Sequence, residues 1–593
     1  MRSRSPAPKP SRAPSDPPAA AGLEGSVGPS GQANGGEGEV ASGGEALGPD
    51  PAPPGSRWLA RLSVAALVFF LLQILSYGYG RDQGIYAMVA RAILEGGMPY
   101  RDAFDFKPPG IFVVFTLSRA LFGPAQWGVR LLEVAGLVGM AVAMVRLADR
   151  LWGQRGVGLL AAALAVTVHA QLDFWHTAQP ESFGGMLTIF GLLAATPPAS
   201  SAPGGPRPSR LVLAGILFGM AGLLKPPLAG GGAVLALSLA GRAGAQKGAA
   251  PPTRPSGGAT PESFIRAVLR PIGWIALGGV LPIAACALWF SARGALGDLH
   301  RVLFVFTPHY TALGWQDASV LAQSWYGFSE WLTRYSGPLA LGLGCLLALH
   351  PSRRERFGVA LLAGVVAIHL AGVIMQAKFF PYHYGATWPV TALLAALGLW
   401  KAWAWCARRG RLATGLLVAA FVVVAFARSA TKDVAESYLE RTARRVALFA
   451  AGGRDQEGLD RLASVADVNA VANRAVAAYL REQVAPGRPV FVWGFEPVIY
   501  DLADRPSATR YLYNVPQRVA WSRDEARADL MRDLAARPPA AIVVERYDVF
   551  PMVTGDVIDS RDALNGFPAL ADLIHDRYAL ATSIEDFDVY LAR

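Results

Sequence analysis

Long apolar runs follow one another from Trp58 to about Arg428, separated by short polar breaks. A helix needs roughly 20 predominantly apolar residues to cross a bilayer. Runs that approach this length lie at 58–77, 128–148, 156–172, 180–196, 211–225, 226–240, 270–290, 337–350, 357–376, 384–405 and 412–428. The pattern therefore predicts a polytopic α-helical membrane protein with about eleven transmembrane helices.

The chain before the first apolar run has a different composition. Residues 1–56 are mainly Pro, Ala, Gly and Ser with scattered charge. Such a segment buries too little apolar surface to offset the entropy lost on ordering, so we expect a disordered tail. No compact apolar segment precedes Trp58, and the pattern is not that of a cleavable signal peptide.

The last part of the chain, residues 429–593, holds no apolar run long enough to span a membrane. Short apolar segments at 490–493 and 541–544 predict buried strands, and the spacing of apolar residues predicts amphipathic helices over Arg461–Arg481 and Arg523–Arg537. Strands that alternate with helices favour a small α/β domain. We therefore expect a transmembrane domain over 57–428 and a separate α/β domain over 429–593.

The positive charges indicate how the chain is oriented in the membrane. Alternate short breaks carry basic residues: Arg150 and Arg155; Arg207 and Arg210; Arg242, Lys247, Arg254, Arg266 and Arg270; Arg353, Arg354 and Arg356; Arg408, Arg409 and Arg411. The positive-inside rule places these breaks and the N-terminus in the cytoplasm. An odd number of spans then places the C-terminal domain outside, so the formal net charge of +11 reflects topology rather than nucleic-acid binding.

Composition narrows the class further. Hydrophobic residues make up 52% of the 593 residues and charged residues 17%, which argues against an ordinary soluble enzyme. The three cysteines lie in or beside apolar runs, so neither a disulfide framework nor a cysteine-rich metal site is predicted. An Ala- and Arg-rich, Lys-poor chain is typical of a bacterium with a GC-rich genome, and we expect a multi-pass protein of the bacterial plasma membrane.

The first outward loop, residues 78–127, contains the leading candidate for chemistry. Apolar positions recur at helical spacing from Asp82 to Leu94, which predicts an amphipathic helix ended by Gly96 and Gly97. A carboxylate at the start of this helix, Asp82, could accept a proton from a substrate hydroxyl. The alternative is that Asp82 only interacts favourably with the helix dipole.

Three of the seven lysines lie at outward-facing ends of apolar segments, although the positive-inside rule does not require them there. These are Lys107, Lys225 and Lys378. An ammonium group at the bilayer edge suits a lipid-linked phosphate, and Pro-Pro after Lys107 and after Lys225 fixes the backbone. The alternative for each lysine is snorkelling of an ordinary side chain to the interface.

The other outward loops supply further polar residues. Candidate bases besides Asp82 are Asp102, Asp173 and Glu181, and candidate substrate contacts are His176, His309, Tyr382 and His383. No pair of histidines has zinc-ligand spacing with a matching acid, so no metal site is predicted, and a divalent cation is left open. Tyr and Trp in these loops could equally be interfacial anchors. Arg130 and Glu133, spaced i,i+3 near the end of a span, are expected to pair with each other.

These motifs together resemble the GT-C superfamily of polytopic glycosyltransferases. The resemblance extends over residues 58–405 and rests on "RDQGIYAMVARAILEGGMPYRD", "FKPPG", "VRLLEVAGLVGMAVAMVRLADRLWG", "HTAQPESFGGML", "GMAGLLKPPLA" and "KFFPYHYGATWPVTALLAALG", in that order. The most similar branch contains the protein O-mannosyltransferases, the lipid A aminoarabinose transferase and the Rgt-type bacterial enzymes. The resemblance implies a GT-C fold and inverting transfer of a sugar from a polyprenyl-phosphate donor to an acceptor outside the membrane.

The resemblance also implies roles for particular residues. Asp82 matches the acid of the first loop and would act as general base or orient the acceptor, and Lys107 matches a lysine that would bind the lipid phosphate. Tyr86 and Arg91 match further positions, with Arg91 packing the loop or contacting phosphate. The complete set of expected donor-phosphate ligands is Lys107, Lys378, Arg81, Arg91 and Lys225.

Two positions depart from the pattern of the superfamily. Gln83 stands where protein-mannosylating members have Glu, and Phe106 stands where the aminoarabinose branch has Glu. The sequence therefore specifies neither a protein acceptor nor lipid A. A transporter or lipid-linked-sugar flippase is the alternative, but such proteins place their ionisable residues near the bilayer midplane rather than at its outer edge. A non-catalytic scaffold would not need the acids and lysines of the outer loops.

Overall fold

The fold was analysed in a computed structural model that describes residues 53–171, 173, 176–197, 206–248, 261–316, 318–334, 337–430, 437–452, 455–465 and 468–593. The tail predicted over 1–56 lies outside these residues except for its last four positions.

The long apolar runs between Trp58 and Arg428 lie mainly on helices. The helices up to residue 430 are α1 Ser56–Ile74, α2 Arg81–Leu94, α3 Gly110–Phe122, α4 Trp127–Trp152, α5 Arg155–Ala170, α6 Pro180–Ala195, α7 Pro208–Leu224, α8 Gly230–Gly248, α9 Pro261–Ala292, α10 Leu296–His300, α11 Thr307–Ala312, α12 Val320–Ser329, α13 Gly337–Leu349, α14 Arg356–Gln376, α15 Trp388–Arg409 and α16 Arg411–Ala430. Some of these helices are joined by short 3₁₀ or π-helical segments at Pro226–Ala229, Arg301–Phe306, Leu313–Trp315, Glu330–Arg334 and Pro381–Thr387.

The protein is a polytopic helical membrane protein. Within the described residues, five helices are long and apolar enough to cross a membrane: Ser56–Ile74, Trp127–Trp152, Val268–Ala292, Arg356–Gln376 and Pro381–Arg409. A bent pair, Val320–Leu332 with Gly337–Leu349, gives a sixth span if it is counted as one. Other predicted runs form apolar helices of 10–17 residues, so the number of about eleven spans stays a prediction.

The helix predicted from Asp82 is α2, which begins one residue earlier. Its first turn is closed by Gln83, whose side-chain oxygen accepts a hydrogen bond from the Gly80 amide at 3.0 Å. Its end is confirmed at Gly96, which has a φ of +91°, a left-handed conformation that glycine adopts without a steric penalty. The first loop, defined as residues 78–127, also contains α3, which follows Pro108 and Pro109.

The C-terminal region is the predicted mixture of helices and strands. Its elements are α17 Tyr438–Ala450, α18 Gln456–Ala463, α19 Ala470–Gln483, β1 Val490–Trp493, α20 Val498–Ala503, α21 Val515–Arg518, α22 Arg523–Ala536, β2 Ala541–Glu545, α23 Pro551–Thr554, α24 Ser560–Ala563, α25 Pro568–Arg577, β3 Tyr578–Ile584 and β4 Phe587–Ala592. The strand order is β1-β2-β4-β3, with β1 parallel to β2 and the other pairs antiparallel.

Two details of this region differ from the expectation. The helix predicted over Arg461–Arg481 is wrong as a single element, because α18 ends at Ala463 and α19 starts at Ala470, capped by the side chain of Asn469. The hairpin β3–β4 was not predicted, because β3 is mostly exposed and lacks the continuous apolar run that marks β1 and β2.

The first loop packs against the C-terminal domain. Helices α2 and α20 approach so closely that a Cβ atom on Gly84 would lie 2.6 Å from the backbone nitrogen of Val498. Arg119 of α3 forms an ion pair of 2.6 Å with Asp501 of α20. The Phe104 amide donates a hydrogen bond to the Arg510 carbonyl at 2.7 Å. The loop that carries Asp82 is therefore held between the membrane helices and the C-terminal domain.

Gly84→Ala should separate α2 from α20, because the new methyl group meets backbone atoms that have no side-chain freedom to move aside. We expect a loss of about 1–3 kcal/mol in the free energy of unfolding, measured as a lower Tm in detergent. The matched control is Gly241→Ala in α8, where a Cβ atom meets nothing within 4 Å. Equal Tm values for the two variants would contradict the close packing of α2 on α20.

Candidate active site

The site is a cavity of about 120 Å³ between the membrane-side loops and the C-terminal domain. Helix α2 places Asp82 in its wall, and Lys107 enters from the segment before α3. The lining residues are Arg81, Asp82, Phe106, Lys107, Gln179, Tyr310, Phe380, Tyr382, Val468, Phe495, Phe550 and Val553. Four of these, from Val468 onward, belong to the C-terminal domain, so the membrane-side loops do not enclose the cavity alone.

Asp82 is held by two side chains. Its Oδ1 atom lies 3.4 Å from Nζ of Lys107, and its Oδ2 atom accepts a hydrogen bond from Nε2 of Gln179 at 3.2 Å. Gln179 in turn accepts a hydrogen bond from the Tyr86 hydroxyl at 3.2 Å. The Asp82 carboxylate is 17% exposed and keeps an open side toward the cavity. The sequence predicted Asp82, Lys107 and Tyr86 as site residues but gave no role to Gln179.

Lys107 lies among several carboxylates. Burial alone would lower its pKa, but Asp82, Asp105 and Glu181 outweigh burial and hold the pKa above the ordinary lysine value. Its ammonium also lies 5.7 Å from the ring centre of Tyr86 and 5.9 Å from that of Tyr382, within the range of cation–π attraction. Lys107 is therefore cationic at neutral pH.

Asp105 is a second buried acid beside the cavity that was not among the predicted site residues. Its Oδ1 atom accepts a hydrogen bond of 2.9 Å from the hydroxyl of Tyr513 in the C-terminal domain. Burial raises the pKa of Asp105 despite the nearby Lys107. No sequence signal singles out Asp105, because its partner is 408 positions away.

Gln83 and Phe106, the two positions that depart from the superfamily pattern, both contact residues of the neighbouring loops. Gln83 is fully buried and donates a hydrogen bond of 2.9 Å to the Thr177 carbonyl, which fixes α2 to the loop between α5 and α6, here called the second loop. Phe106 lines the cavity, and its ring centre lies 4.5 Å from that of Tyr310. Both residues therefore shape the site without carrying a charge.

Glu181 and Lys225 pair with each other at the back of the site. Glu181 is 1% exposed and contacts Nζ of Lys225, which lies 5.9 Å from the centre of the Tyr382 ring.

 The ammonium groups of Lys107 and Lys225 thus lie near the same tyrosine ring. The pair joins two predicted site residues of opposite charge. Glu181 was an expected base, and Lys225 was an expected phosphate ligand.

Arg81 connects the cavity to the C-terminal domain. Its Nε atom lies 2.8 Å from a carboxylate oxygen of Glu496, and its guanidinium lies 4.6 Å from the ring centre of Phe550. Glu496 is 1% exposed and also accepts a hydrogen bond of 2.7 Å from Asn473. The C-terminal domain therefore fixes the orientation of the residue that precedes Asp82.

Lys378 lies beside the cavity, close to two of its walls. Its ammonium is 4.3 Å from the ring centre of Tyr310 and donates a hydrogen bond of 2.6 Å to the Met552 carbonyl. Burial lowers the pKa of Lys378 to about 8. Tyr382 lines the cavity, and the adjacent His383 is buried against its ring with 4.6 Å between the ring centres.

Three exposed or half-exposed residues of the predicted site lie away from the cavity. Asp102 pairs with Arg101 and accepts a hydrogen bond from the Met98 amide. Arg91 pairs with Glu95 and with Asp504 of the C-terminal domain. His309 bonds the Val305 carbonyl and stacks on Trp521. The structure does not bring these three residues together with Asp82.

Two buried residues of the predicted site have structural partners instead. Asp173 pairs with Arg445 of α17 at 2.7 Å. His176 lies between two backbone carbonyls, those of Val168 and Pro381. Both hold the second loop in place, and neither lines the cavity.

The expected pair of Arg130 and Glu133 is confirmed, and it belongs to a larger cluster. The two side chains are fully buried and 3.3 Å apart. Arg130 also donates hydrogen bonds to the carbonyls of Tyr77 and Gly78, and Glu133 contacts His169 at 2.9 Å. Within the described residues, no group of three or more His, Cys, Asp or Glu side chains is arranged to hold a metal ion.

The Glu181–Lys225 pair yields a prediction about stability. Removing one partner leaves the other charge buried without compensation, so Glu181→Gln and Lys225→Met should each lower the free energy of unfolding by about 3–5 kcal/mol. The double variant should lose less than the sum of the two, because it removes both charges. Thermal unfolding of all three variants in detergent measures this coupling. Additive losses would contradict a direct interaction between the two side chains.

Comparison with known proteins agrees with this architecture. Residues 106–242 match the family model described as dolichyl-phosphate-mannose-protein mannosyltransferase. No curated protein sequence matches the chain significantly.

Solved structures are similar to this chain at low sequence identity. ArnT from Cupriavidus metallidurans, in a crystal structure with bound undecaprenyl phosphate, is 14% identical, with a TM-score of 0.50 over 90% of this chain and 98% of that chain. The oligosaccharyltransferase of Archaeoglobus fulgidus, tethered to an acceptor peptide, is 12% identical, with a TM-score of 0.44 over 82% of this chain and 69% of that chain. The family model matches a part of the chain, residues 106–242, and the fold of the chain is similar to that of ArnT.

Proposed function

We propose that this protein transfers a sugar from a polyprenyl-phosphate donor to an acceptor on the outer side of the bacterial plasma membrane, with inversion at the sugar carbon. The observation that carries the proposal is the placement of Asp82 and Lys107 side by side in one cavity, 3.4 Å apart. The undecaprenyl phosphate bound to ArnT supports a lipid-phosphate donor for this chain as well.

The reaction requires a base for the acceptor and cations for the leaving group. The acceptor hydroxyl attacks the anomeric carbon, the bond from that carbon to the phosphate oxygen breaks, and Asp82 takes the hydroxyl proton. The leaving lipid phosphate keeps the bonding electrons, and Lys107 and Arg81 stabilise its charge. Attack from the face opposite the phosphate inverts the anomeric centre.

The ion pair between Asp82 and Lys107 links donor binding to activation of the base. Lys107 is cationic because acids surround it, and an arriving phosphate competes with Asp82 for the ammonium. When Lys107 turns to the phosphate, the Asp82 carboxylate loses a positive neighbour and becomes a better proton acceptor. Gln179 keeps that carboxylate in position throughout, because it bonds the other oxygen.

The location in the membrane follows from the same proposal. The basic breaks lie on the cytoplasmic side under the positive-inside rule, which leaves the first loop and the C-terminal domain outside. Polyprenyl-linked donors present their headgroup at the membrane surface, where Lys107 and Lys378 lie at the ends of apolar segments. The rings of Phe106, Phe380 and Tyr382 give the cavity an apolar wall on the membrane side.

Asp82→Asn should lower the transfer rate by a factor on the order of 10²–10⁴, because the amide cannot accept the acceptor proton. The assay measures release of free polyprenyl phosphate from a labelled lipid-linked sugar in proteoliposomes. Asp102→Asn, a loop acid outside the cavity, is the matched control and should retain the activity of the unaltered protein. Near-normal release by Asp82→Asn would contradict the proposed base, and movement of intact donor between leaflets without release would favour a flippase.

The lowered pKa of Lys378 gives a prediction about pH. Its ammonium is charged below about pH 8 and becomes neutral as the pH rises through that value. Donor binding should therefore weaken above pH 8, with KM for the donor rising on the order of tenfold by pH 9.5. Lys378→Arg keeps its charge and should show a flat KM over the same range. If both proteins have the same pH profile, the charge of Lys378 does not contribute to donor binding.

A further inference from the structure

Helix α17 presents its apolar residues outward. Leu439, Val446 and Phe449 are 42%, 50% and 48% exposed. The exposed positions Leu439, Ala443, Val446, Ala447 and Ala450 follow the spacing i, i+4, i+7, i+8 and i+11, which places them in one stripe along the helix. An amphipathic helix on a soluble domain turns such a stripe toward the core, so α17 has the reverse arrangement.

The inward face of α17 carries two buried arginines that contact the loops beneath it. Arg445, which is 4% exposed, donates hydrogen bonds to Asp173 at 2.7 Å and to the Ser76 hydroxyl at 3.0 Å. Arg441, which is 7% exposed, donates a hydrogen bond of 2.8 Å to the Gln171 carbonyl. These contacts fix the rotation of the helix, because turning its apolar stripe inward would take both arginines away from these partners.

Helix α17 contacts the end of α1, a candidate membrane span whose nearest turns also expose apolar side chains. Gln73, at the end of α1, bonds Thr442 at 3.2 Å and accepts a hydrogen bond from the Tyr438 hydroxyl at 3.2 Å. Helix α1 is long and apolar enough to cross a membrane. Its exposed apolar residues in the turns nearest α17 are Val68, Phe69 and Leu72.

We propose that α17 lies in the interfacial layer of the bilayer, on the side of the C-terminal domain, with its apolar stripe against lipid acyl chains. The apolar helix α16 ends at Ala430, and α17 begins at Tyr438, a few positions later in the chain. Exposure of such a stripe to water is unfavourable, whereas the membrane boundary accepts it. The partner of this surface is therefore membrane lipid, and the inference is independent of the sugar and the acceptor.

The location of α17 has a consequence for the second loop. Arg445 holds Asp173, whose carbonyl accepts a hydrogen bond of 2.7 Å from the Thr177 hydroxyl. The Thr177 carbonyl in turn accepts a hydrogen bond from Gln83, the neighbour of Asp82. A helix seated on lipid thus braces the loop on which the start of α2 rests.

The test uses the full chain with Cys286, Cys345 and Cys406 replaced by alanine, and one new cysteine labelled with a small fluorophore. Val446→Cys carries the probe on the stripe, and Asp524→Cys on α22 is the control, because the Asp524 side chain is 91% exposed. The protein is reconstituted in vesicles of phosphatidylethanolamine and phosphatidylglycerol with and without doxyl-labelled lipid. Iodide serves as the quencher in water.

We expect doxyl lipid to reduce the emission at position 446 at least twofold and to leave position 524 unchanged, with iodide giving the opposite result. Quenching of both positions by iodide alone would overturn the proposal. Protection of position 446 from both quenchers, with disulfide-linked dimers of the Val446→Cys chain, would also overturn it and identify a second copy as the partner. If Val446→Cys lowers Tm, Ala447→Cys on the same stripe takes its place under the same criteria.

Discussion

The buried ion pair of Arg130 and Glu133 is the interaction on which the geometry of the site depends. Arg130 binds the carbonyls at the start of the first loop, and Glu133 accepts a hydrogen bond from the Ala178 amide in the second loop. Two charges removed from water are tolerated only when each keeps its hydrogen-bond partners. The pair therefore holds the two loops in a fixed position relative to each other. That placement brings Gln179 to Asp82.

The C-terminal domain is part of the site although it lies outside the apolar region. Tyr513 bonds Asp105, Glu496 orients Arg81, and Phe550 packs on the Arg81 guanidinium. Each of these contacts joins residues more than 400 positions apart in the chain. A division into a membrane domain and a separate C-terminal domain therefore describes the composition of the sequence, whereas the site is built from both parts.

Sequence predicted what is local and missed what depends on distant partners. Periodicity located the apolar helices and α2, and the isolated positions of Asp82 and Lys107 marked the cavity. Asp173 has the same local features as a catalytic acid, but it pairs with Arg445, 272 positions away. Asp105 was overlooked for the same reason, since only folding brings Tyr513 to it. Charge type is visible in a sequence, whereas the partner that decides its role is not.

The hydrogen bond from Lys378 to the Met552 carbonyl has a mechanical meaning. The cavity of about 120 Å³ is smaller than the roughly 300–1,000 Å³ typical of ligand pockets, so a ligand of ordinary size fits only if the walls of the cavity separate. Lys378 lies two residues before Phe380 of the membrane-side wall, and Met552 precedes Val553 in the opposite wall. Opening the cavity by separating these walls breaks this bond, and closing the cavity forms it again. Lys378 is thus a tie between the two sides of the cavity, and its hydrogen bond opposes their separation.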